Sequence, residues 1–170
     1  MTKDSQVTIS GTSTLRDWTV SGSNIKGELK FKGDNNKTDL IPAGEITMAE
    51  VDVDVASIHS ERGEAMDNKI YNALKRDEYP VIRFVLRDPV QLKNAGQRAD
   101  SIVASGEISI AGVTRNISFE IEVSYENGKW VFTGNRSLKM SDFDIQPPSA
   151  MFGQIVSGDE IEIGVNLIFN

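Results

Sequence analysis

Cysteine is absent from the 170 residues of this chain, and histidine occurs only once. The absence of cysteine excludes disulfide bonds, thiolate metal sites and cysteine nucleophiles. A single histidine, His59, cannot build a histidine-based metal cluster, so we expect no metal site. As a lone residue in a turn, His59 is typical of a surface side chain rather than of a catalytic base.

Long apolar runs and clusters of positive charge are also missing. No segment approaches the roughly 18 consecutive apolar residues of a membrane-spanning helix, so we expect no stable membrane insertion. The net charge is −7 and no basic cluster occurs, so nucleic acid is not an expected partner. Residues 1–5 lack the apolar stretch of a signal peptide, which indicates either a cytoplasmic protein or a mature chain with an added methionine.

The motifs of familiar enzymes are missing as well. The chain has no P-loop, no dinucleotide fingerprint and no strand–turn–helix nucleophile elbow. Pairs of acidic residues occur at 52/54, 120/122 and 160/162, but each pair lies on the predicted solvated face of a strand rather than in a cleft suited to glycoside hydrolysis. We therefore expect no catalytic residue, no cofactor and a protein that is not an enzyme.

Strict alternation of apolar and polar residues is the dominant pattern. Residues 116–125 and 160–169 both alternate in this way, which is typical of strands with one dry and one wet face. The pattern predicts about eight or nine antiparallel strands, the others lying at 5–9, 14–20, 25–32, 44–56, 81–92, 101–111 and 129–140.

Two short glycine-containing segments predict hairpins between these strands. Asn127-Gly128 favours a type I′ turn of two residues. Gly112-Val113 predicts a second two-residue turn, of type II′, which pairs Ile108 with Ile117. In both predicted hairpins the apolar residues of the two strands fall on the same face, as a correct register requires.

Two segments depart from regular alternation. In 44–56 the apolar phase slips by one residue, which predicts a β-bulge and therefore the sheet curvature that a barrel needs. In 61–76 the apolar residues recur at helical spacing, which predicts an amphipathic helix with Ser60 as N-cap, ended before Pro80. The apolar face of this helix consists of Met66, Ile70, Ala73 and Leu74.

Small residues stand beside large ones on the predicted dry face. Ala104 and Gly134 flank Ile121, and a closed eight-stranded barrel has just enough interior for side chains or one small ligand. Small residues therefore either leave part of the interior unfilled or relieve crowding at a bend. Arg136 on the same face either reaches solvent at a rim or meets the polar head of a ligand or a buried carboxylate.

A long connection at 140–153 carries several apolar residues between two good strands. Phe143, Met151 and Phe152 lie in it. Long connections within compact domains are often functional. We expect these side chains either to cover a dry interior or to pack locally across a barrel end.

The chain resembles the YceI-like family of polyisoprenoid-binding, lipocalin-like barrel proteins over residues 14–169. Arg16 stands where a secreted bacterial subgroup often has histidine, so no role carries over to Arg16. Asp144 stands where glycine is usual. The resemblance rests on segments 11–20, 72–75, 79–84, 106–114, 141–148 and 151–153.

The resemblance implies an antiparallel barrel whose elongated interior holds an isoprenoid chain, often a quinone or a prenyl lipid, in the periplasm or outside the cell. We therefore predict one domain over 1–170, an all-β, eight-stranded lipocalin-like barrel with one short helix. The predicted function is binding, transport or sequestration of an isoprenoid or other long-chain lipid. The alternatives are a barrel without a ligand, acting as a structural or interaction module, and an enzyme acting on an isoprenoid lipid.

The predicted partner is thus a lipid, the location is the periplasm or the cell exterior rather than the cytoplasm, and the formation of a homodimer is left open. The residues expected to contact the lipid are Trp18, Val20, Phe31, Ile70, Phe84, Ile108, Phe119, Ile121, Phe132, Arg136, Phe143, Met151 and Phe152.

Overall fold

The computed structural model describes residues 1–34 and 39–170. Strands dominate the described part of the chain, and a single α-helix, α1, spans Glu64–Ala73. Two short 3₁₀ turns lie at Val55–Ser57 and Met140–Phe143. The strands are β1 (Gln6–Ser13), β2 (Trp18–Gly22), β3 (Ile25–Gly33), β4 (Gly44–Asp54), β5 (Ile58–Ser60), β6 (Val81–Leu86), β7 (Val90–Gln91), β8 (Ala99–Ile110), β9 (Val113–Glu126), β10 (Lys129–Lys139), β11 (Ser149–Ala150) and β12 (Ile155–Phe169).

All strands belong to one curled antiparallel sheet. Its hydrogen-bonded order is β3-β4-β6-β8-β9-β10-β12-β1-β2-β5, with β7 paired to β4 and β11 paired to β12. The ladder does not close within the described residues, so the sheet forms a half-barrel with β3 and β5 at its edges. The all-β class and the single helix are confirmed. The described residues form twelve strands rather than eight, and three of them, β5, β7 and β11, are only two or three residues long.

The hairpin between β9 and β10 is the predicted one. Asn127 and Gly128 have φ values of 51° and 76°, which is the left-handed pair of a type I′ turn. Trp130 lies opposite Tyr125, so the predicted register is confirmed.

The predicted turn between β8 and β9 is wrong by one residue. Ala111 and Gly112 form the turn, with φ values of 50° and 83°, and Ile108 pairs with Arg115 instead of Ile117. A two-residue shift in pairing keeps every side chain on its face, so the apolar pattern could not distinguish the two registers. Glycine is needed at 112 because a β-carbon there would lie only 2.7 Å from Cε2 of Tyr79.

The predicted bulge in 44–56 is present in β4. Lys30 pairs with Met48 and Phe31 with Ile46, so Thr47 is the extra residue. The bulge changes which positions face inward: Ile46 and then Ala49 line the interior. Met48, which the sequence pattern grouped with Ile46, is therefore out of phase with the interior positions.

Helix α1 is shorter than the predicted 61–76. It begins after Gly63, whose φ is 86°, and the predicted N-cap Ser60 instead belongs to β5. It ends because Lys75 adopts a left-handed φ of 52° and the Arg76 N–H donates to the Tyr71 carbonyl at 2.9 Å, the pattern of a Schellman motif. None of the helices in the described part of the chain combines the length and apolarity needed to cross a bilayer.

The two ends of the half-barrel differ. One end, which we call the lower end, carries the connection 92–98 between β7 and β8. Ile41 and Leu92 are buried there, and the buried carboxylate of Asp100 accepts hydrogen bonds from the N–H groups of Lys93 at 2.6 Å and Asn94 at 3.1 Å. Buried side chains and these hydrogen bonds therefore fill the described part of that end. The upper end carries α1 and the connections 14–17 and 140–154, which join strands there.

Candidate ligand cavity and its rim

A cavity of about 130 Å³ lies inside the curled sheet. Its walls come from both halves of the sheet, and among the described residues no polar or charged side chain lines it. The lining residues are Val7, Ile9, Gly22, Leu29, Ile46, Ala49, Val51, Val53, Ile58, Ile82, Phe84, Leu86, Val90, Ile102, Ala104, Ile108, Phe119, Ile121, Phe132, Ile163, Val165, Leu167 and Phe169.

The size of this cavity limits what it holds at rest. A dry apolar cavity of roughly 150 Å³ in another protein accommodates benzene, so about 130 Å³ suits one small apolar group. A longer hydrocarbon requires lining side chains to change position. The chemistry of the walls offers burial of apolar surface and nothing that hydrogen-bonds or transfers a proton.

Two aromatic pairs contribute to the cavity wall. The rings of Phe84 and Phe119 meet edge to face with centroids 5.9 Å apart, and Phe132 and Phe169 do so at 5.7 Å. Such pairs attract each other more than their buried area alone predicts. They are therefore the bulky groups that a longer ligand would have to displace.

The mid-strand glycines make room for neighbouring side chains. A β-carbon on Gly106 would lie 2.8 Å from Cζ of Phe84, and one on Gly134 would lie 2.8 Å from Cδ1 of Ile121. Of the two alternatives that the sequence left open, relief of crowding describes these glycines. The open space of the cavity lies elsewhere on the dry face.

Five of the predicted contact residues line the cavity. They come from four neighbouring strands, β6, β8, β9 and β10. The structure therefore brings these five predicted residues together around one cavity. Their contact with a ligand stays a prediction. These residues are Phe84, Ile108, Phe119, Ile121 and Phe132.

Other predicted residues are buried or packed outside the lining. Val20 and Ile70 belong to the buried core. Trp18 stands over Gly11 and its Nε1–H donates to the Thr12 carbonyl at 3.0 Å. Phe31 packs at the lower end against Trp130, with ring centroids 5.0 Å apart.

The three predicted residues of the long connection lie in different environments in the structure. Phe143 is only 2% exposed and lies in the 3₁₀ turn after β10. Met151 and Phe152 point to solvent, Phe152 being fully exposed, and their φ values of 53° and 55° place both in the left-handed region. These two side chains therefore do not cover the interior in the structure.

Sequence reasoning did not select several lining residues. Ile163, Val165 and Leu167 of β12 line the cavity, and the alternation of 160–169 was their signal. Ile9 and Leu29 were not selected because their strands have short or irregular patterns. Which strands face the cavity depends on the curl of the sheet, which alternation alone does not specify.

A second cavity, of about 470 Å³, opens where β9 and β10 separate. Pairing between the two strands ends at Thr133 opposite Glu122. Beyond that point, among the strands that the structure describes, β9 pairs with β8 and β10 pairs with β12. The residues lining this second cavity are Arg115, Asn116, Ile117, Arg136, Ser137, Leu138, Lys139, Asp142, Phe143 and Glu160.

One carboxylate holds the 3₁₀ turn that borders this second cavity. Asp159 accepts hydrogen bonds from the backbone N–H of Ser141 at 2.8 Å and from its hydroxyl at 2.6 Å. These bonds from the Ser141 side chain and backbone lower the pKa of Asp159. The turn that carries Phe143 is thereby fixed to β12.

The single histidine takes part in a structural cluster. His59 Nδ1 lies 3.0 Å from Asp67 Oδ2 and 3.2 Å from the Tyr71 hydroxyl, and the Ser60 N–H donates to Asp67 Oδ1 at 2.6 Å. The hydrogen bond from His59, followed by that from Ser60, lowers the pKa of Asp67. The cluster joins α1 to β5, and no group of three possible metal-ligating side chains occurs in the residues that the structure describes.

The sequence model of the YceI-like domain matches residues 2–169. Among curated proteins, none matches the chain.

Several solved structures have a similar fold. BcnA from Burkholderia cenocepacia has a TM-score of 0.70 at 20% identity, with 98% of this chain and 96% of that chain covered. A polyisoprenoid binding domain from Saccharophagus degradans, implicated in plant cell wall breakdown, has a TM-score of 0.72 at 10% identity, with 98% and 93% covered. A YCEI protein from Campylobacter jejuni has a TM-score of 0.66 at 19% identity, with 89% and 83% covered. At such identities these likenesses show the shared fold alone, whereas the domain match spans nearly every residue, and the chain therefore belongs to the YceI-like family.

Proposed function

We propose that the protein binds an isoprenoid-type lipid, a polyprenyl chain or a quinone, in its cavity and transports or sequesters it without chemical change. The observation that carries the proposal is the wall of the cavity, which consists only of apolar side chains among the described residues. A site without polar groups selects its ligand by hydrocarbon content. The polyisoprenoid binding domain among the similar structures supports the same ligand class.

The energetics favour such a ligand. Burying one five-carbon isoprene unit contributes up to about 3–4 kcal/mol at roughly 0.8 kcal/mol for each methylene-sized group. Several units together offset an association cost on the order of 4–15 kcal/mol without any hydrogen bond. Because the resting cavity measures about 130 Å³, binding of several units involves displacement of the phenylalanine pairs in its wall.

Binding without catalysis is favoured by the position of the titratable groups. His59, the residue that an enzyme would most simply use, is bound to Asp67 and Tyr71 between α1 and β5, and it does not line the cavity. We further propose, from the family, that the protein works in the periplasm or outside the cell, as one domain over 1–170. The formation of a homodimer, which the sequence left open, is not part of this proposal.

The test is native mass spectrometry of protein purified gently from lipid-rich cells, with extraction and identification of any bound lipid. We expect an adduct in the wild-type protein and a loss of about tenfold or more in its abundance in Ala104→Leu, because Ala104 lines the cavity and a larger side chain fills part of it. Val103→Leu is the matched control, since Val103 is 56% exposed on the other face of the same strand.

The other outcomes decide against the proposal. A bare wild-type chain under these conditions would support the ligand-free structural or interaction module. A candidate lipid that is chemically altered after incubation with the protein would support an enzyme. An adduct equally abundant in the wild type and in Ala104→Leu would place the lipid outside the cavity.

A further inference from the structure

The second cavity adjoins the dry face that lines the first, and part of its lining belongs to that face. On β9, Phe119 lines the apolar cavity, whereas Ile117 and Arg115, at the next two positions of the same phase, line the second one. On β10, Phe132 lines the first cavity and Arg136 lines the second. Because side chains two residues apart share a face, one strip of sheet changes from apolar to cationic along its length.

The second cavity combines an apolar floor with a charged rim. Ile117 and Phe143 are buried and, with Leu138, they form the floor. Among the described residues, no ion pair involves the charged side chains of the rim. These are Arg115, Arg136, Lys139, Asp142 and Glu160.

The two arginines are available to an incoming group. The hydrogen bond that Arg115 makes is to the carbonyl of its neighbour Thr114, at 3.3 Å, and within the described chain the Arg136 guanidinium makes none. Guanidinium groups bind oxyanions such as carboxylate and phosphate through paired hydrogen bonds. Two of them on one cavity, both on the inward phase of their strands, form a site for an anionic head group.

We propose that this arginine cleft, the second cavity with Arg115 and Arg136 at its rim, binds the oxyanion of an amphiphile whose isoprenoid tail lies in the apolar cavity. The inference rests on the proposed function and adds the head-group chemistry to it. None of the described residues that line the apolar cavity has a hydrogen-bonding side chain, so a polar head must lie outside it. The arginine cleft is where the same strip of sheet first offers cations.

The path between the two cavities runs past Phe143 and Ile117. No described residue lines both cavities, so the two open spaces are separate in the structure. No ladder hydrogen bonds join β9 to β10 here, because their pairing ends at Thr133 and Glu122. The tail therefore enters where the ladder between the two strands has ended.

The test measures binding of farnesyl monophosphate, farnesol and inorganic phosphate by isothermal titration calorimetry. We expect the wild-type protein to bind farnesyl monophosphate about tenfold or more tightly than farnesol, because charge-assisted hydrogen bonds outweigh neutral ones. Arg115→Gln/Arg136→Gln should remove that preference and leave the farnesol affinity unchanged. Inorganic phosphate alone should bind at least about tenfold more weakly than farnesyl monophosphate, since it lacks the tail.

A matched double variant controls for net charge. Lys93→Gln/Arg98→Gln removes two exposed cations near the lower end of the sheet, so it should keep the preference for farnesyl monophosphate. Equal wild-type affinity for farnesyl monophosphate and farnesol would overturn the arginine cleft while leaving the proposed function intact. Inorganic phosphate binding as tightly as farnesyl monophosphate would identify a free-anion site instead, and failure of both farnesyl compounds to bind would overturn the proposed function itself.

Discussion

Gly106 shows how a residue without a side chain determines the packing of the cavity wall. The backbone of β8 approaches the Phe84 ring and the Val85 carbonyl of β6 so closely that a β-carbon on Gly106 would collide with both. The ring of Phe84 in turn packs against Phe119. The glycine therefore sets the position of one aromatic pair of the wall.

We expect Gly106→Ala to lower the free energy of unfolding by about 1–3 kcal/mol, because overpacking a well-packed interior forces neighbours to move. Urea denaturation measures the change. Val103→Ala on the exposed face of the same strand should stay within about 0.5 kcal/mol of the wild type. A Gly106→Ala protein as stable as the wild type would show that the two strands shift apart without cost.

For single residues, the sequence predicted which side chains lie on the dry face of the sheet. It did not predict which side chains of the neighbouring strands pack against them. The alternation placed Ala104 and Gly134 on the dry face. Ala104 lines the cavity, and Gly134 packs against Ile121 of its lining. Whether a glycine leaves open space depends on the neighbouring strand, and β6 brings a phenylalanine to Gly106. Met151 and Phe152 were expected near the interior because they are apolar, but their left-handed backbone turns them outward.

Among the elements, helix α1 depends on a polar cluster as well as on its apolar face. Ile70 packs into the core, while Asp67 on the first turns of the helix accepts hydrogen bonds from His59 and the Ser60 N–H. The apolar periodicity predicted the helix. Its bounds were missed because Gly63 and Lys75 adopt positive φ values, which residue type alone indicates only weakly.

Asp67→Asn should lower the free energy of unfolding by about 1–3 kcal/mol at pH 7, since it weakens hydrogen bonds of a buried carboxylate. The folded state lowers the pKa of Asp67, so its contribution is complete above the unfolded value of about 3.9 and is lost as the pH falls through the lower folded pKa. The difference between wild type and variant should therefore shrink below about pH 4.

Urea denaturation at neutral and at acidic pH checks this expectation. Asp88→Asn is the control, because Asp88 is exposed and within the described residues its side chain has no hydrogen-bond partner. A wild-type advantage over Asp67→Asn that is the same at both pH values would show that the ionised carboxylate contributes nothing specific.

For the whole molecule, the sequence predicted the fold class through alternation and the family through its motifs. It could not predict the volume of the interior. That volume is the small space left after twenty-two side chains and Gly22, from eleven strands, have packed, and it changes with the rotamer of each side chain. The strand count was underestimated because β5, β7 and β11 are too short to show a period.

A lipid bound in the interior should stabilise the whole fold. At a free ligand concentration one hundred times the dissociation constant, the gain is about 2.7 kcal/mol, which raises Tm by roughly 5–11 °C at about 2–4 °C per kcal/mol. Differential scanning calorimetry with farnesol measures this shift. Ala104→Leu should show a much smaller one, and equal shifts in both proteins would indicate binding elsewhere.

The early end of the β9–β10 ladder has a mechanical consequence. Beyond Thr133 on β10 and Glu122 on β9, β10 pairs with β12 and β9 pairs with β8. The hydrogen-bonded ladder between β9 and β10 is therefore interrupted there. Separating the two strands in this region breaks no ladder hydrogen bond between them. They stay joined through the paired residues next to the Asn127-Gly128 turn. A lipid bound as we propose would thus have a lateral route between β9 and β10 that leaves the other strand ladders of the sheet intact.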